Sequence, residues 1–384
     1  MQNLDTKAKI RVLHAGDLHL DSAFSRYGVM SGEERRAEMR AVFSSLMSYV
    51  RQSNIDVVLL SGDLFDCEYA TSETLEMMIR ELTLFNSFVC ISPGNHDPYK
   101  ATGLYSSGKF PHNVHIFTQE SLQCVRHPSL PVCIYGWAFT DSAHTFSPLA
   151  GKRVDDSSII NVVCGHADME SAITSYCPLS ESDVANFGAD YVALSHIHNM
   201  PEVKRLGKTT CAYSGFLMSR SFDERGQGGA WLVEIEKDNE SCNVEMKRLC
   251  FGSRHHEILC VDVSGAKDAK EGYEKILRAS EEKKYGADCY LRIILTGAVC
   301  SSFSSKELAL RNYGVAYVEI KDNTLPLYDS DFLLSDMTLR GELYRYLLPR
   351  LTEGEQKDRE VAAQALRVAL AAINGADITA LDET

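Results

Sequence analysis

Five short clusters hold the side chains of this sequence that could do chemistry. They are Asp17-Leu-His19, Gly62-Asp63-Leu-Phe-Asp66, Gly94-Asn95-His96-Asp97, Gly165-His166 and His196-Ile-His198. Their donors are carboxylate oxygen, amide oxygen and imidazole nitrogen, with no thiolate. Such a set suits manganese, iron or zinc better than calcium, and two ions better than one. Singly, each cluster is weak. A lone histidine is more often a core or surface residue than a ligand, and Gly-Asn-His-Asp could be a turn. The weight lies in the set, because every cluster follows a run of β type. In open α/β sheets, sites gather at the carboxyl ends of strands. A strand projects alternate residues to one side. Strand-like geometry through Asp17-x-His19 and His196-x-His198 would aim both members of each pair at one point.

The elements that must position these clusters are legible in the spacing. Ile10–Leu13, Asp56–Leu60 and Ser87–Ile91 read as buried strands. Behind a capping box at Ser31-Gly-Glu-Glu34, Met39, Val42, Phe43, Leu46, Met47 and Val50 recur with helical spacing. Thr71–Phe85 reads as a second helix. This order predicts a layered α/β domain with a partly parallel sheet. Val132–Tyr135, Ile159–Cys164, Tyr191–Leu194 and Trp231–Ile235 predict a second sheet packed on the first. The character changes near residue 250. Strands are expected at Glu257–Val263, Cys289–Leu295 and Val315–Ile320, and helices at Lys267–Lys283 and Ser305–Leu310. Met337–Leu348 and Glu355–Ile373 are helical in pattern. On the last of these, Val361, Ala365, Val368, Ala369 and Ala372 form an apolar stripe, read as core.

The five clusters in this order resemble the calcineurin-like metallophosphoesterase superfamily. The segments His14-Ala-Gly-Asp-Leu-His-Leu-Asp-Ser22, Ser61-Gly-Asp-Leu-Phe-Asp66 and Pro93-Gly-Asn-His-Asp-Pro98 resemble the SbcD-type DNA repair nuclease group. Within that group the similarity runs to bacterial YhaO-type DNA repair exonucleases, with further points at Tyr213-Ser-Gly215, Gly229–Glu236 and Thr338-Leu-Arg-Gly-Glu342. The fold this implies is an α/β, two-sheet metallophosphoesterase sandwich flanked by helices over residues 1–250. A smaller α/β capping domain over 251–323 and a helical C-terminal region over 324–384 would follow.

The activity implied is two-metal-dependent hydrolysis of DNA phosphodiesters by an exonuclease of 3′-to-5′ polarity. The ions would be divalent, manganese foremost, with iron, zinc or magnesium as alternatives. Asp17, His19 and His198 would hold the first ion. Asn95, His166 and His196 would hold the second, and Asp63 would bridge them, a carboxylate being able to span cations about 4 Å apart. His96 would donate a proton to the leaving oxygen, oriented by Asp66. The sequence departs from the group twice. Asp66 stands where some archaeal members carry histidine, and Ser195 where glycine is usual, the latter expected to matter little. His14 and Asp21 read as support for the site or as structural residues, Asp97 as a turn or supporting residue, and Tyr99 as packing rather than a base-stacking platform. Arg26, Lys100, Lys109, Arg220 and Arg225 lie near site-forming loops and could touch phosphates.

Composition bounds these readings. The 384 residues are 45% hydrophobic and 24% charged, which excludes collagen-like and low-complexity classes. The length suits two or three domains. No apolar run approaches the ~20 residues that span a bilayer. The polar stretch Met1–Lys9 leaves no room for a signal peptide, so the cytoplasm is the expected location. Twelve scattered cysteines without Cys-x-x-Cys spacing read as buried hydrophobes, Cys90, Cys133, Cys164, Cys260 and Cys289 among them. The net charge of −14 excludes a general DNA-binding surface. Contact with nucleic acid must then be local, metal-assisted or supplied by a partner. The same acidity favours an alternative class of substrate, nucleotides or other small phosphoesters. A third reading is a partner-dependent subunit of a nuclease–ATPase complex. The resemblance implies an SbcC-like ATPase and a homodimer, and the chain carries no Gly-x-x-x-x-Gly-Lys-Ser/Thr loop of its own. Met337–Thr384 is expected to contribute to such a contact.

Overall fold

A computed structural model describes residues 8–24, 32–66, 69–199, 203–238, 241–252, 254–281, 283–300, 303–327 and 330–373. The chain divides into two compact units, Met1–His255 and His256–Thr384. In the first, the order is β1 (Ala8–Ala15), α1 (Gly32–Gln52), β2 (Val57–Leu60), α2 (Ser72–Thr83), β3 (Phe88–Ile91), α3 (Leu104–Ser107) and β4 (Val114–Ile116). Then come β5 (Gln123–Arg126), β6 (Val132–Gly136), β7 (Ile160–His166), α4 (Glu181–Phe187), β8 (Tyr191–Ser195), β9 (Lys204–Leu206), β10 (Thr209–Tyr213), β11 (Ala230–Lys237) and β12 (Cys242–Leu249).

These strands make two six-stranded sheets, ordered β12-β11-β1-β2-β3-β4 and β5-β6-β7-β8-β10-β9. The centre of each is parallel: β1 to β4 in one, β6, β7, β8 and β10 in the other. The period-2 pattern explains the layering. Val57, Leu59, Phe88 and Cys90 face Ile134, Val162, Cys164, Tyr191 and Ala193 in a core shared by the two sheets. The alternate residues Val58, Leu60, Val89 and Ile91 turn outward and pack with Phe43, Leu46, Met47 and Met78 of α1 and α2. On the other side, Val163, Val192 and Leu194 pack with Val184 and Phe187 of α4. Strands buried on both faces read as continuous apolar runs, which is why these were legible in the sequence.

One expectation is corrected here. Trp231–Ile235 does not join the second sheet. It lies in β11, antiparallel to β1 in the first, with Val12 opposite Val233 and Ile10 opposite Ile235. The alternation of β11 matches that register, Val233 and Ile235 facing the shared core and Ala230 and Leu232 the α1 side. Helix α1 buries all six apolar residues of its predicted stripe. Ser31 of the predicted capping box lies outside the described residues.

The second unit contains β13 (His255–Asp262), α5 (Ala269–Glu281), β14 (Cys289–Thr296), β15 (Ala298–Val299), α6 (Ser305–Ala309), β16 (Tyr317–Asp322) and β17 (Leu325–Pro326). Three helices follow, α7 (Ser330–Ser335), α8 (Leu339–Glu353) and α9 (Gln356–Ile373). Strands β13, β14 and β16 form a sheet whose apolar face packs Leu259, Val261, Leu291 and Ile293 with Ile276 and Leu308. Cys260 is exposed on β13, unlike Cys90, Cys133, Cys164 and Cys289, because it points away from that face.

The stripe expected on α9 is also corrected. Ala362, Ala363, Leu366 and Leu370 are buried, whereas Val361 is 62% exposed. Leu366 and Leu370 pack with Leu333, Tyr344 and Leu347. Two leucines one turn apart bury more apolar area than the alanines and valines beside them, so they set the rotation of the helix. Among the described residues, no helix is long and apolar enough to cross a membrane.

Candidate metal centre

The carboxyl ends of β1, β2, β3, β7 and β8 bring the five clusters together. The backbone there departs from the extended geometry expected. Asp17 and His19 have φ of 47° and 44°, Asp63 50° and His196 107°. Non-glycine residues adopt such values at a cost and cluster at functional sites. The loops after β1 and β2 are zipped by Asp17 N–H to the Gly62 carbonyl (3.0 Å), His19 N–H to the Asp63 carbonyl (2.9 Å) and Leu20 N–H to the Leu64 carbonyl (2.9 Å). Those bonds fix the turned backbone. Asp17 and His19 therefore converge through a tight turn, not through alternation along a strand.

Asp63 is central. Its Oδ2 lies 3.4 Å from His166 Nε2 and 3.7 Å from His19 Nε2. Its Oδ1 accepts from His96 N–H at 2.9 Å. His19 Nε2 and His198 Nε2 are 3.3 Å apart, and His198 Nε2 is 3.9 Å from Asp17 Oδ1. His166 Nε2 is 2.9 Å from Asn95 Oδ1. The His196 ring lies 5.2 Å from that of His166, and the His196 backbone N–H donates to the Asp17 carboxylate. Two groups of donors, Asp17–His19–His198 and Asp17–Asp63–His166, each gather ligand atoms within 4.8 Å of one another. A third group, His19–Asp66–His96, adjoins them, with His96 Nδ1 at 3.5 Å from Asp66 Oδ1.

Glycine is required at two points. A Cβ at Gly94 would stand 2.2 Å from Asp63 Oδ1, and Gly62 has φ of 107° with His166 against it. Asp97 binds the loops together: its carboxylate accepts from the N–H groups of Asp63, Leu64, Phe65 and Gly94 and from the Tyr105 hydroxyl.

The electrostatics fit cations. Burial pushes the carboxyls of Asp17 and Asp63 upward. Burial likewise holds His19 and His166 well below, and His196 below, the usual histidine value, so these rings are neutral, the form that ligates metal. His198 differs. Burial lowers it, but its hydrogen bond to Glu224 and the charge of Asp17 outweigh that and raise it. The two ring nitrogens of His198 are thereby distinguished: Nδ1 meets Glu224 Oε1 at 2.8 Å, and Nε2 turns to the centre. His166 is held the same way, Nδ1 against Ser195 Oγ at 2.9 Å. Such contacts fix the tautomer of a ligating imidazole. Neutral nitrogen lone pairs aimed with two buried carboxylates at one space are a donor set for divalent ions.

The residues flanking the centre take varied places. His14 is buried between the sheets, Nδ1 at 2.8 Å from the Tyr191 hydroxyl. Asp21 accepts from Thr71, Thr74 and Arg40, tying the first loop to the start of α2. Tyr99 packs against the apolar cores. Lys100 faces Asp141 at 3.8 Å, and Lys109 and Arg225 are exposed. Arg26 lies outside the described residues. Arg220 is turned inward and engaged by Glu224. Ser195, expected to matter little, supports His166. Glu224 and the linking role of Ser22 were missed; the one signal was an arginine four residues before an acid at Arg220 and Glu224, shortly after Tyr213-Ser-Gly215.

Residues 10–200 match the calcineurin-like phosphoesterase family. The metallophosphoesterase YhaO of Bacillus subtilis is 27% identical over 304 residues, 74% of this chain and 71% of that protein. The DNA double-strand break repair protein Mre11 of Methanopyrus kandleri is 24% identical over 316 residues, 73% of this chain and 65% of that protein. A subunit of the SbcCD nuclease of Staphylococcus epidermidis is 20% identical over 266 residues, 61% of this chain and 68% of that protein. The two-sheet α/β fold, the convergent donors and these matches make the first unit a calcineurin-like metallophosphoesterase domain, and the chain a hydrolase acting on phosphate esters.

Proposed function

We propose that this hydrolase is a two-metal-dependent DNA phosphodiesterase, an exonuclease of SbcD type serving DNA repair. The observation that carries the reading is the convergence of three imidazole Nε2 atoms and two buried carboxylates beside the half-exposed His96. Asp17, His19 and His198 would hold one ion, Asn95, His166 and His196 the other, with Asp63 between them. Two divalent ions, manganese foremost, would supply Lewis-acid charge to a phosphoryl group and lower the pKa of water. The chain's own contribution to proton transfer is His96. Its hydrogen bond to Asp66 raises it above the usual histidine value, which favours the protonated ring. Asp66 takes Nδ1, which leaves Nε2 to protonate a leaving alkoxide.

The named relatives support DNA as the substrate, one being a double-strand break repair protein and another part of a nuclease. That the SbcCD relative is named as a subunit also supports assembly with an SbcC-like ATPase; the contact would run through Met337–Thr384. A cytoplasmic location, a homodimer and domains at 1–250, 251–323 and 324–384 belong to the same reading. The net charge of −14 favours a second reading, hydrolysis of nucleotides or other small phosphoesters.

The test is cleavage of end-labelled duplex and single-stranded DNA with manganese, using wild type and His96→Asn in parallel. Manganese-dependent degradation is expected, reduced about 10²–10⁴-fold in the variant with bound metal unchanged. No degradation of either DNA despite two bound ions would move the assignment to small phosphoesters or to a partner-dependent subunit.

A further inference from the structure

We infer that Arg220 is a positioning residue that links the metal-facing His198 to the proton-donating His96 through Glu224, Ser22 and Asp66. The inference rests on the phosphodiesterase reading above. Glu224 is 3% exposed, yet its carboxylate is fully engaged. Oε1 accepts from His198 Nδ1 (2.8 Å) and from Arg220 Nε (2.9 Å) and Nη2 (2.5 Å), and Oε2 from Arg220 N–H (2.8 Å). The other arm of the guanidinium, Nη1, donates to Ser22 Oγ at 3.2 Å. The Ser22 hydroxyl in turn faces Asp66 Oδ2 at 3.2 Å and the His19 carbonyl at 2.9 Å. Asp66 Oδ1 meets His96. The path runs from one side of the centre to the other, its longest step the 3.5 Å between Asp66 Oδ1 and His96 Nδ1.

The fork of arginine suits this position, because its planar donors reach two partners at fixed angles, which a lysine ammonium on a flexible stem cannot reproduce. The turn that carries Arg220 and Glu224 is itself held. Ser219 Oγ donates to the Glu224 carbonyl, and the buried guanidinium of Arg35 on α1 donates to the Ser219 carbonyl at 3.0 Å. Arg220 is thus spent on internal partners, and a phosphate contact would have to break them.

The experiment is manganese titration of the metal-free full chain, followed by the paramagnetic resonance signal of free Mn²⁺. It is paired with kcat and KM on bis(4-nitrophenyl) phosphate, for wild type, Arg220→Ala, Arg220→Lys and Ser22→Ala. Arg220→Ala is expected to weaken one of two manganese equivalents about 10–100-fold, the range for loss of a group that orients a ligand, and to lower kcat. Arg220→Lys should not restore either. Ser22→Ala should keep both equivalents within about twofold while kcat falls at unchanged KM, since the Asp66–His96 arm is cut whereas the His19 carbonyl keeps its bond from the Ser22 backbone N–H at 3.2 Å. If Arg220→Ala does not fold, Arg220→Lys and Ser22→Ala carry the test. Variants that match wild type in both manganese affinity and kcat overturn the link alone. Wild type that takes up no manganese overturns the metal-centre reading itself.

Discussion

At the scale of single residues, the types were legible and their conformations were not. Asp17, His19, Asp63, Asn95, His166, His196 and His198 could be picked out because oxygen and imidazole donors followed β-type runs. The positive φ values of Asp17, His19, Asp63 and His196 could not, since nothing in Asp-Leu-His distinguishes an extended path from a turn; at Asp17 and His19 only the hydrogen bonds to the β2 loop settle it. Glu224 was invisible for a related reason, lying 26 positions beyond His198 in a segment with no ligand spacing. Gly94 tests the tightness of the centre. Its Cβ would meet Asp63 Oδ1 at 2.2 Å and Asp63 N at 2.7 Å, and the second of these is backbone and cannot swing aside. Gly94→Ala should therefore displace Asp63 and weaken manganese binding by about tenfold or more, the scale seen when ligand support is lost. Titration calorimetry checks it; affinity within twofold of wild type would mean the loop yields at no expense to the site.

At the scale of elements, strand and helix positions followed from periodicity, but partnerships followed from register. Trp231–Ile235 had the pattern of a core strand, and no local signal said which sheet it would join. His14 shows what holds the two sheets in place behind the loops. It stands on β1, yet its ring bonds the Tyr191 hydroxyl and the Leu194 carbonyl of β8. Burial holds its pKa down at about 3. In the unfolded chain it returns to about 6.5, so between those values the unfolded state binds the extra proton. Stability from this residue is full above about pH 6.5 and is lost as pH falls toward 3, by roughly 1.4 kcal/mol per pH unit. His14→Gln should be less stable at pH 7 by about 1–3 kcal/mol, having lost buried hydrogen bonds, and should lose less than wild type between pH 6.5 and 5. Urea unfolding at the two pH values reads both effects; parallel losses in the two proteins would remove His14 from the acid response. The helices offer a companion test. Leu366→Ala, at 1% exposure, should cost about 2–5 kcal/mol in the second unit, while Val361→Ala stays within about 0.5 kcal/mol.

At the scale of the whole molecule, charge decides how a polyanion can be bound. A chain of net charge −14 repels DNA at long range, and counterion release from a basic surface is not open to it. The basic residues nearest the site do not change this. Arg220 is committed to Glu224, Lys100 faces Asp141, and Arg40 is held by Asp21 and Glu33. On the DNA phosphodiesterase reading, attraction without a partner would come from the centre itself, where two divalent ions against Asp17 and Asp63 would leave a local positive charge. Binding of that kind engages one or two phosphates. Duplex affinity changes with salt as about −0.9 per phosphate neutralised, so the slope of log K against log salt should lie near −1 to −2. Between 50 and 200 mM salt that is roughly a tenfold loss, against the 10³–10⁵-fold loss of a protein contacting 6–10 phosphates. Fluorescence anisotropy with labelled duplex and manganese-loaded His96→Asn measures it without turnover. A steep slope would place a basic surface outside the described residues or on a bound partner. A shallow one that vanishes on chelation would tie DNA binding to the metal centre.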